Sequence, residues 1–158
     1  MQGIERRLVV FRLHYGEYAL PLEHMVEIVR MVAVSPVPDA PTWLLGVINL
    51  RGEVVPVLDL RLRLGLPAAE IELNTPILIG RANGRVLGLV ADEVIEVLTA
   101  DPASIEPPEE MAGPSTSLTG VVRREDRLVM ILDLERLLSG YEPDLHTDDA
   151  DDAPARVA

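Results

Sequence analysis

The chain has 158 residues, 48% of them apolar but only 3% aromatic, and its formal net charge is −12. The length predicts one domain or two very small ones, with a core of Val, Leu and Ile, a composition that favours strands. The charge argues against binding to a nucleic-acid backbone. The lack of cysteine excludes disulfides, thiolate metal sites and a cysteine nucleophile, and it suits a reducing compartment. We expect no signal peptide, because the N-terminal stretch lacks a long apolar run followed by small residues, and no direct membrane insertion, because no apolar run approaches roughly 18 residues.

The N-terminal quarter of the chain predicts one hairpin and an extended connection. Apolar runs at 8–13 and 18–22 flank Gly16, which predicts two strands joined by a turn. Residues 23–32 are ambiguous and fit one helical turn that leads into a strand. The prolines within 35–41 predict an extended connection, since proline breaks both helices and central strands.

A second hairpin follows, with strands at 46–50 and 53–58 and a turn at Arg51-Gly52. Pro56 lies inside its second strand and cannot donate a hydrogen bond to a neighbouring strand. This position therefore predicts an edge, a bulge or a bend, as in a small curved barrel.

The second half of the chain repeats this plan. Within 75–98, the dipeptide Asn83-Gly84 is a strong signal for a hairpin turn. Residues 99–117 form a Pro-rich segment as long as loops in compact domains become. A last hairpin is predicted by strands at 119–124 and 127–132, and a short helix follows.

Two stretches of the chain, 46–64 and 120–138, align without a gap at an offset of 74 residues. Both begin with Gly-Val, share V-x-x-L-D-L and end in Leu, but only the first carries N-L-R-G at its turn. The shared Asp59 and Asp133 invite comparison with a pair of catalytic aspartates. Capping of the short helix that follows each is simpler, and a cap is worth ~1 kcal/mol, so we expect Asp59→Ala to destabilise modestly.

The repeated order of hairpins and short helices predicts an all-β fold of two small barrels side by side. We expect one domain over 1–141, with a first barrel at about 8–66, a second at about 75–132 and a closing helix at 134–139. Residues 142–158 hold six acidic residues and one arginine. This tail is predicted to be disordered, because it has too little apolar surface to offset its ordering entropy.

No arrangement of residues typical of catalysis is present in the sequence. The histidines His14, His24 and His146 are scattered and lack a second ligand at usual spacing, so we expect no metal site. Neither a phosphate-binding glycine loop nor G-x-S-x-G occurs. The residues favour a binding module without a cofactor over an enzyme.

Several segments resemble the CheW family, the adaptor of bacterial chemotaxis signalling. They include YALPLEHMVEIVR, the core G-V-x-N-L-R-G-x-V-V-P-V-x-D-L from Gly46 to Leu60, RVLGLVADEV, and LTGVVRREDRLVMILDLERLL. The resemblance covers about residues 8–140 and makes the domain CheW-like. It implies two packed five-stranded SH3-like barrels with short capping helices and no catalytic activity.

The resemblance also implies partners and a location. Family members bridge the cytoplasmic tips of methyl-accepting chemoreceptors to the regulatory domain of the histidine kinase CheA, in membrane-associated arrays. Related adaptors serve chemosensory pathways that control pilus motility or second messengers, and the sequence leaves this alternative open.

The positions of the family's receptor contacts fall on four residues of this chain. The Arg of N-L-R-G is Arg51, the Glu of the V-x-E-I segment is Glu27, and Ile28 follows as in the family. Met25 stands where many members have Val, which is an apolar departure. Independently of the family, a turn arginine between apolar strands stays hydrated and can bind a carboxylate with two hydrogen bonds.

The family's kinase contact falls on the second barrel, at Val86, Leu87 and Gly88. For these residues a structural role stays open, because Leu87 can belong to the barrel core and Gly88 can be required for close backbone approach.

Five further residues are expected to be structural. Gly46, Asn49 and Gly52 shape the first-copy hairpin and its turn, and Asp59 and Asp133 cap the two short helices.

Overall fold

The computed structural model describes residues 5–108 and 117–138, and these residues form mainly β-strands. The strands are β1 (Arg6–Leu13), β2 (Gly16–Pro21), β3 (Met25–Arg30), β4 (Leu44–Leu50), β5 (Glu53–Asp59), β6 (Pro76–Ala82), β7 (Arg85–Val90), β8 (Glu93–Ala100), β9 (Ile105–Glu106), β10 (Leu118–Arg124) and β11 (Arg127–Leu132). Two helices of one turn, α1 (Leu60–Arg63) and α2 (Leu134–Leu137), and two 3₁₀ turns, Leu22–His24 and Pro102–Ser104, complete the described part. None of the helices in this part has the length and apolar character needed to cross a membrane.

The four hairpins predicted from the sequence are confirmed as antiparallel pairs: β1–β2, β4–β5, β6–β7 and β10–β11. The ambiguous segment 23–32 forms a 3₁₀ turn followed by β3, as the helical-turn interpretation required. The predicted loop 99–117 is shorter than expected, since it contains the end of β8 and the short strand β9. Its residues 109–116, like the tail at 142–158, lie outside the described part.

Pro56 lies in a part of β5 that tolerates a residue without a backbone N–H group. Strand β5 pairs with β4 along its whole length, but its parallel pairing with β7 begins only at Val57. The half of the strand that contains Pro56 therefore has an unpaired side, where a missing N–H breaks no ladder bond.

The strands form two sheets, and their membership differs from the expected division at 8–66 and 75–132. One sheet, the central barrel, has the order β3-β6-β7-β5-β4; the other, the terminal barrel, has the order β8-β1-β2-β11-β10-β9. The first hairpin thus joins the last strands, with β1 antiparallel to β8 and β2 parallel to β11. The expected barrel boundaries are wrong, and the terminal barrel has six strands because β9 joins it. Local patterns predict hairpins, but they do not determine which hairpins pair over long range.

Strands β1 and β6 carry runs of consecutive apolar residues because both of their faces are buried there. In β1, Leu8 and Val10 face the interior of the terminal barrel, while Val9 and Phe11 face a cluster between the barrels. In β6, Ile77 faces the interior of the central barrel. The molecule therefore has three apolar cores, one inside each barrel and one between them. Each fully buried side chain of this kind contributes about 1.5–3 kcal/mol.

The sequence repeat corresponds to a structural repeat. Both copies have a break in strand register beside the leading glycine, Gly46 in β4 and Gly120 in β10. In both, the second strand of the copy pairs in parallel with a hairpin from elsewhere in the chain. By position in the sheets, β3 corresponds to β8, β6–β7 to β1–β2, and β4–β5 to β10–β11. The two barrels thus share one strand arrangement in circularly permuted chain order, and the hairpin β1–β2 completes the terminal barrel.

Both predicted helix caps are confirmed, but their surroundings differ. The Asp59 side chain accepts a hydrogen bond from the Arg61 amide (3.0 Å), and Asp133 accepts from the amides of Glu135 and Arg136 (3.0 and 3.2 Å). Asp59 also binds the guanidinium of Arg61, at 3.1 and 3.2 Å. The Arg61 side chain is only 1% exposed. The predicted closing helix is one turn long within the described residues, which end at 138.

We expect Asp59→Ala to lower the free energy of unfolding by about 3–5 kcal/mol, because it removes one partner of a buried ion pair. This revises the modest loss expected from a cap alone. The matched substitution Asp133→Ala removes the same cap from the second copy, where the paired Arg136 is more than half exposed, and should cost ~1 kcal/mol. Urea unfolding of both variants measures the difference, and equal losses would contradict a buried ion pair at Asp59.

Candidate protein-binding site

Arg51 lies at the tip of the β4–β5 hairpin. Arg51 and Gly52 form a two-residue turn in which both residues have positive φ, 50° and 88°. The Asn49 side chain accepts a hydrogen bond from the Gly52 amide (2.8 Å), which fixes the turn. Asn49 and Gly52 therefore have the structural roles expected of them. Glu125 has the same left-handed φ in the second copy, so backbone strain does not distinguish Arg51; its side chain does.

The guanidinium of Arg51 is held by Glu27 of β3. Its two terminal nitrogens donate to the two carboxylate oxygens of Glu27 at 2.5 and 2.7 Å, a bidentate pair. The Arg51 side chain is 68% exposed and that of Glu27 is 28% exposed. The structure thus brings together two of the four predicted receptor-contact residues, which are 24 positions apart in the chain. Arg51 is not a freely solvated turn residue, and Glu27 does not simply face the solvent.

This ion pair shifts the titration of both groups. The pKa of Glu27 is lowered chiefly because the carboxylate accepts hydrogen bonds from Arg51, and partial desolvation opposes that effect. The pKa of Arg51 is raised by the same hydrogen bonds and by the charge of Glu27. Both groups are charged at neutral pH, and the pair presents a guanidinium of defined orientation.

The ion pair also closes the central barrel. Strand β3 is at one edge of the sheet, and β4, at the other edge, leads directly into the turn that carries Arg51. Further along the chain, Ser35 and Val47 exchange backbone hydrogen bonds at 2.8 and 2.9 Å across the same gap. Gly46 is required beside this contact, because a Cβ atom there would overlap the Ser35 carbonyl oxygen. Gly46 therefore has the structural role expected of it.

The apolar residues near Glu27 differ in exposure. Met25 is partly buried and packs against the cluster between the barrels, whereas Ile28 is 47% exposed. Val26 is equally exposed, and Val54, beside the Arg51 turn, is 65% exposed. Sequence reasoning missed Val26 and Val54, because an apolar run such as E-V-V-P-V does not show which residues point outward. The alternation with the buried Val55 is the signal that would have identified Val54.

The three predicted kinase-contact residues lie in β7, in the same barrel as Arg51 and not in a separate second barrel. Leu87 is buried between the barrels, and Gly88 is buried where a Cβ would meet Ile77 at 2.8 Å. Neither offers a surface to a partner, so the structural alternatives for both residues are favoured. Val86 is half-buried and packs against the core of the central barrel.

The terminal barrel has an arrangement equivalent to that of Arg51 and Glu27. Glu27 pairs with Ile79 of β6, and the corresponding residue of β8, Glu96, pairs with Val10 of β1. Glu96 lies 3.5 Å from Arg127, which starts the equivalent hairpin strand and also binds Glu17 at 2.9 Å. In each barrel, a glutamate of the edge strand β3 or β8 therefore contacts an arginine of a hairpin.

The exposed apolar residues are also repeated. Val97 occupies in β8 the place of Ile28 in β3, and Leu128 occupies in the second copy the place of Val54. Val97 and Leu128 are both about half exposed. We define the central patch as Ile28, Val54, Glu27 and Arg51. The terminal patch is Val97, Leu128, Glu96 and Arg127.

Within the described ranges, no group of three or more His, Asp or Glu side chains is arranged to hold a metal ion. His14 and His24 belong to separate turns, and His146 lies outside those ranges. Each patch combines two exposed apolar side chains with an ion pair, which is bidentate only in the central patch. Such a combination is compatible with protein recognition.

Comparison with known proteins identifies the family. The CheW-like domain family matches residues 7–142. The chemotaxis protein CheW of Helicobacter pylori is 37% identical over 123 residues, 77% of this chain and 74% of that protein, and the CheW of Rhizobium meliloti is 33% identical over 139 residues, 87% and 90%. Protein FrzA of Myxococcus xanthus is 32% identical over 138 residues, 85% and 86%.

The fold is shared with a solved structure. The crystal structure of the scaffolding protein CheW from Thermoanaerobacter tengcongensis superposes with a TM-score of 0.80 at 31% identity, covering 86% of this chain and 94% of that one. The expected all-β class with two packed SH3-like barrels is thereby confirmed, apart from the barrel boundaries corrected above. The chain belongs to the CheW-like domain family, whose members are non-catalytic adaptors of chemotaxis signalling.

Proposed function

We propose that this chain couples the tips of methyl-accepting chemoreceptors to the regulatory domain of the kinase CheA. It would act in the cytoplasm, at membrane-associated receptor arrays. The observation that carries the proposal is the bidentate Arg51–Glu27 pair on a chain of this family, beside exposed Ile28 and Val54. An exposed guanidinium held in one orientation recognises a helix carboxylate at a smaller entropic cost than a free side chain.

The central patch is the proposed receptor contact. Arg51 supplies the charge and Ile28 the apolar anchor, while Glu27 orients Arg51. Met25 supports the strand from the side of the cluster between the barrels. A receptor tip that offers an acidic residue beside an apolar stripe would match this surface.

The terminal patch is the proposed kinase contact. The contact at Val86, Leu87 and Gly88 implied by the resemblance would need a partner to reach two buried residues and a half-buried one, whereas Val97 and Leu128 are exposed. The resemblance to the CheW family also implies that the regulatory domain of CheA is itself CheW-like. A barrel with an equivalent apolar patch is therefore a suitable occupant, since like surfaces of related barrels can pack on each other.

A second candidate is an adaptor for a non-flagellar chemosensory pathway that controls pilus motility or second messengers. The similarity to FrzA, a relative whose name does not mention chemotaxis, favours keeping it. Deleting the gene and scoring swimming separately from surface movement discriminates the two. The single most useful test of either version is co-sedimentation with the cognate receptor and kinase.

We expect Arg51→Glu to weaken binding to receptor-bearing nanodiscs by at least about tenfold, a loss typical of interface hot spots. The substitution also places a carboxylate against Glu27, so stability must be controlled. The double variant Arg51→Glu with Glu27→Arg restores an ion pair of reversed polarity and should restore the melting temperature but not receptor binding. Recovery of binding in the double variant would show that the pair only closes the barrel.

The charge reversal has a matched control in the terminal barrel. Arg123 and Glu106 form a pair at 2.7 Å, with side-chain exposures of 61% and 31% that resemble those of Arg51 and Glu27. Arg123→Glu should leave receptor binding unchanged. An equal loss in this variant would mean that binding depends on overall charge and not on the Arg51 site.

Ile28→Glu and Val97→Glu form a pair of equivalent substitutions at exposed positions. We expect the first to weaken receptor binding and the second to weaken binding to the CheA regulatory domain, each by about tenfold, because a charge is desolvated in an apolar contact. Binding of each variant to both partners is measured by isothermal titration. If both variants lose the same partner, the assignment of separate patches is wrong.

Receptor binding should also follow the ionisation of Glu27. Its pKa lies below the ordinary 4.5, so the ion pair is fully formed above that value and is lost only as the pH falls through the lowered folded-state pKa. We expect binding to be constant from pH 7 to about 5. In Arg51→Ala, the Glu27 midpoint followed by carboxyl NMR should rise towards 4.5, and an unchanged midpoint would exclude Arg51 as the cause.

A further inference from the structure

The chain passes from the central to the terminal barrel between two adjacent residues, Ala91 and Asp92. The Ala91 amide donates to the Pro76 carbonyl of β6, in the central barrel, at 3.4 Å. The next amide, that of Asp92, donates to the Arg12 carbonyl of β1, in the terminal barrel, at 3.0 Å. The crossing point is therefore tied to both barrels through the backbone.

The Asp92 side chain ties the same two barrels. One carboxylate oxygen accepts from the His14 amide, in the β1–β2 turn of the terminal barrel, at 2.6 Å. The other accepts from Arg61, at the end of the central barrel, at 2.7 Å. Arg61 in turn donates from two further nitrogens to Asp59. We call Asp59, Arg61 and Asp92 the inter-barrel clamp.

The clamp is charged as well as buried. Burial acts to lower the pKa of Arg61, but hydrogen bonds and charge from Asp59 and Asp92 outweigh it, and the pKa is raised. Buried ion pairs of this kind add little stability over well-packed apolar side chains of equal volume. The contribution of these ion pairs to the relative orientation of the barrels must therefore be considered as well as their contribution to stability.

The apolar contact between the barrels does not by itself define their relative orientation. The cluster between the barrels is built from aliphatic side chains, Phe11 and the helix residues Leu60 and Leu134, and hydrophobic attraction has no preferred direction. Guanidinium–carboxylate hydrogen bonds are directional and are satisfied in one arrangement. The second copy has Glu135 at the position of Arg61, and in the Arg136–Asp133 pair there the Arg136 side chain is more than half exposed.

We propose that the inter-barrel clamp holds the two barrels in one relative orientation and thereby sets the angle between the central and terminal patches. Asp59, Arg61 and Asp92 are positioning residues, which touch neither partner. The orientation itself does not depend on what the patches bind; only the binding readout below rests on the proposed function.

The test is a distance distribution between spin labels, one on each barrel. The chain has no cysteine, so the substitutions Arg81→Cys in β6 and Thr99→Cys in β8 restrict labelling to these two positions, both of which are exposed. The clamp is neutralised by Arg61→Met with Asp59→Asn and Asp92→Asn, which leaves no unpaired buried charge. The matched control is Arg136→Met with Asp133→Asn in the second copy.

We expect a single narrow distance in the parent and the control, and a broad distribution in the neutralised variant while it remains cooperatively folded. Binding to each isolated partner should change less than about twofold. Simultaneous binding of receptor and kinase should fall at least about tenfold, because linked sites gain affinity only when their geometry fits both partners.

A narrow, unchanged distance in the folded neutralised variant would overturn the proposal, as would a broad distribution in the parent. Broadening with full simultaneous binding would overturn the positioning role. If the triple variant does not fold, Asp92→Asn decides by the same criteria, because its amide oxygen can still accept from His14 while the charged contact to Arg61 is lost. Failure of the parent to bind either partner would overturn the proposed function and leave the distance measurement intact.

Discussion

Burial of both faces of the central strands is the constraint on which the rest of this structure depends. A strand with one apolar face must pack against other residues on that face only. Strands β1 and β6 are apolar on both faces and must pack on both. Each barrel satisfies one face with its own interior and the other with its neighbour. Neither barrel can leave the other without exposing the residues around Phe11 and Leu78, so the barrels form one domain although each has its own core. Within the described residues, the exposed apolar side chains of the two patches accordingly lie on the edge strands β3 and β8 and beside the hairpin turns.

Arg51 and Arg61 are ten residues apart in the chain and serve opposite purposes because their surroundings differ. Arg51 stays in solvent at a hairpin tip, where its pair with Glu27 adds little to stability but fixes the direction of an accessible charge. Arg61 is fully buried between Asp59 and Asp92, where loss of one partner is expensive and the charge is inaccessible to any ligand. The first can recognise a partner, and the second can only organise the protein. Burial, more than residue type, determines which role an arginine has.

The sequence was sufficient for the hairpins, the turn residues and both aspartate caps, because these depend on neighbours a few positions away. It was insufficient for barrel membership. The order hairpin–strand–hairpin–helix occurs twice in the chain. It is equally compatible with a hairpin β1–β2 that begins the first barrel and with one that completes the second. Only the long-range pairing of this hairpin with β8 and β11 determines its barrel. For Leu87 and Gly88 the sequence left a structural role and a kinase contact both open for a related reason, since an apolar strand does not reveal whether its second face meets solvent or another barrel. The resemblance to a family found Glu27 and Arg51, but it did not reveal that they bind each other.

The two barrels share one plan, which accounts for the two patches, whereas the inter-barrel clamp involves only one copy of the repeat. A contact between a glutamate of the edge strand and a hairpin arginine occurs in both barrels, as do the exposed apolar positions at Ile28 and Val97. An adaptor needs two surfaces, and a repeated barrel supplies them without new architecture. It also needs those surfaces at a fixed angle, which an apolar contact between two similar barrels does not provide by itself. The asymmetric element, Arg61 in one copy where the other has Glu135, lies at the point where the chain crosses between the barrels, and this is where a directional contact can define their orientation.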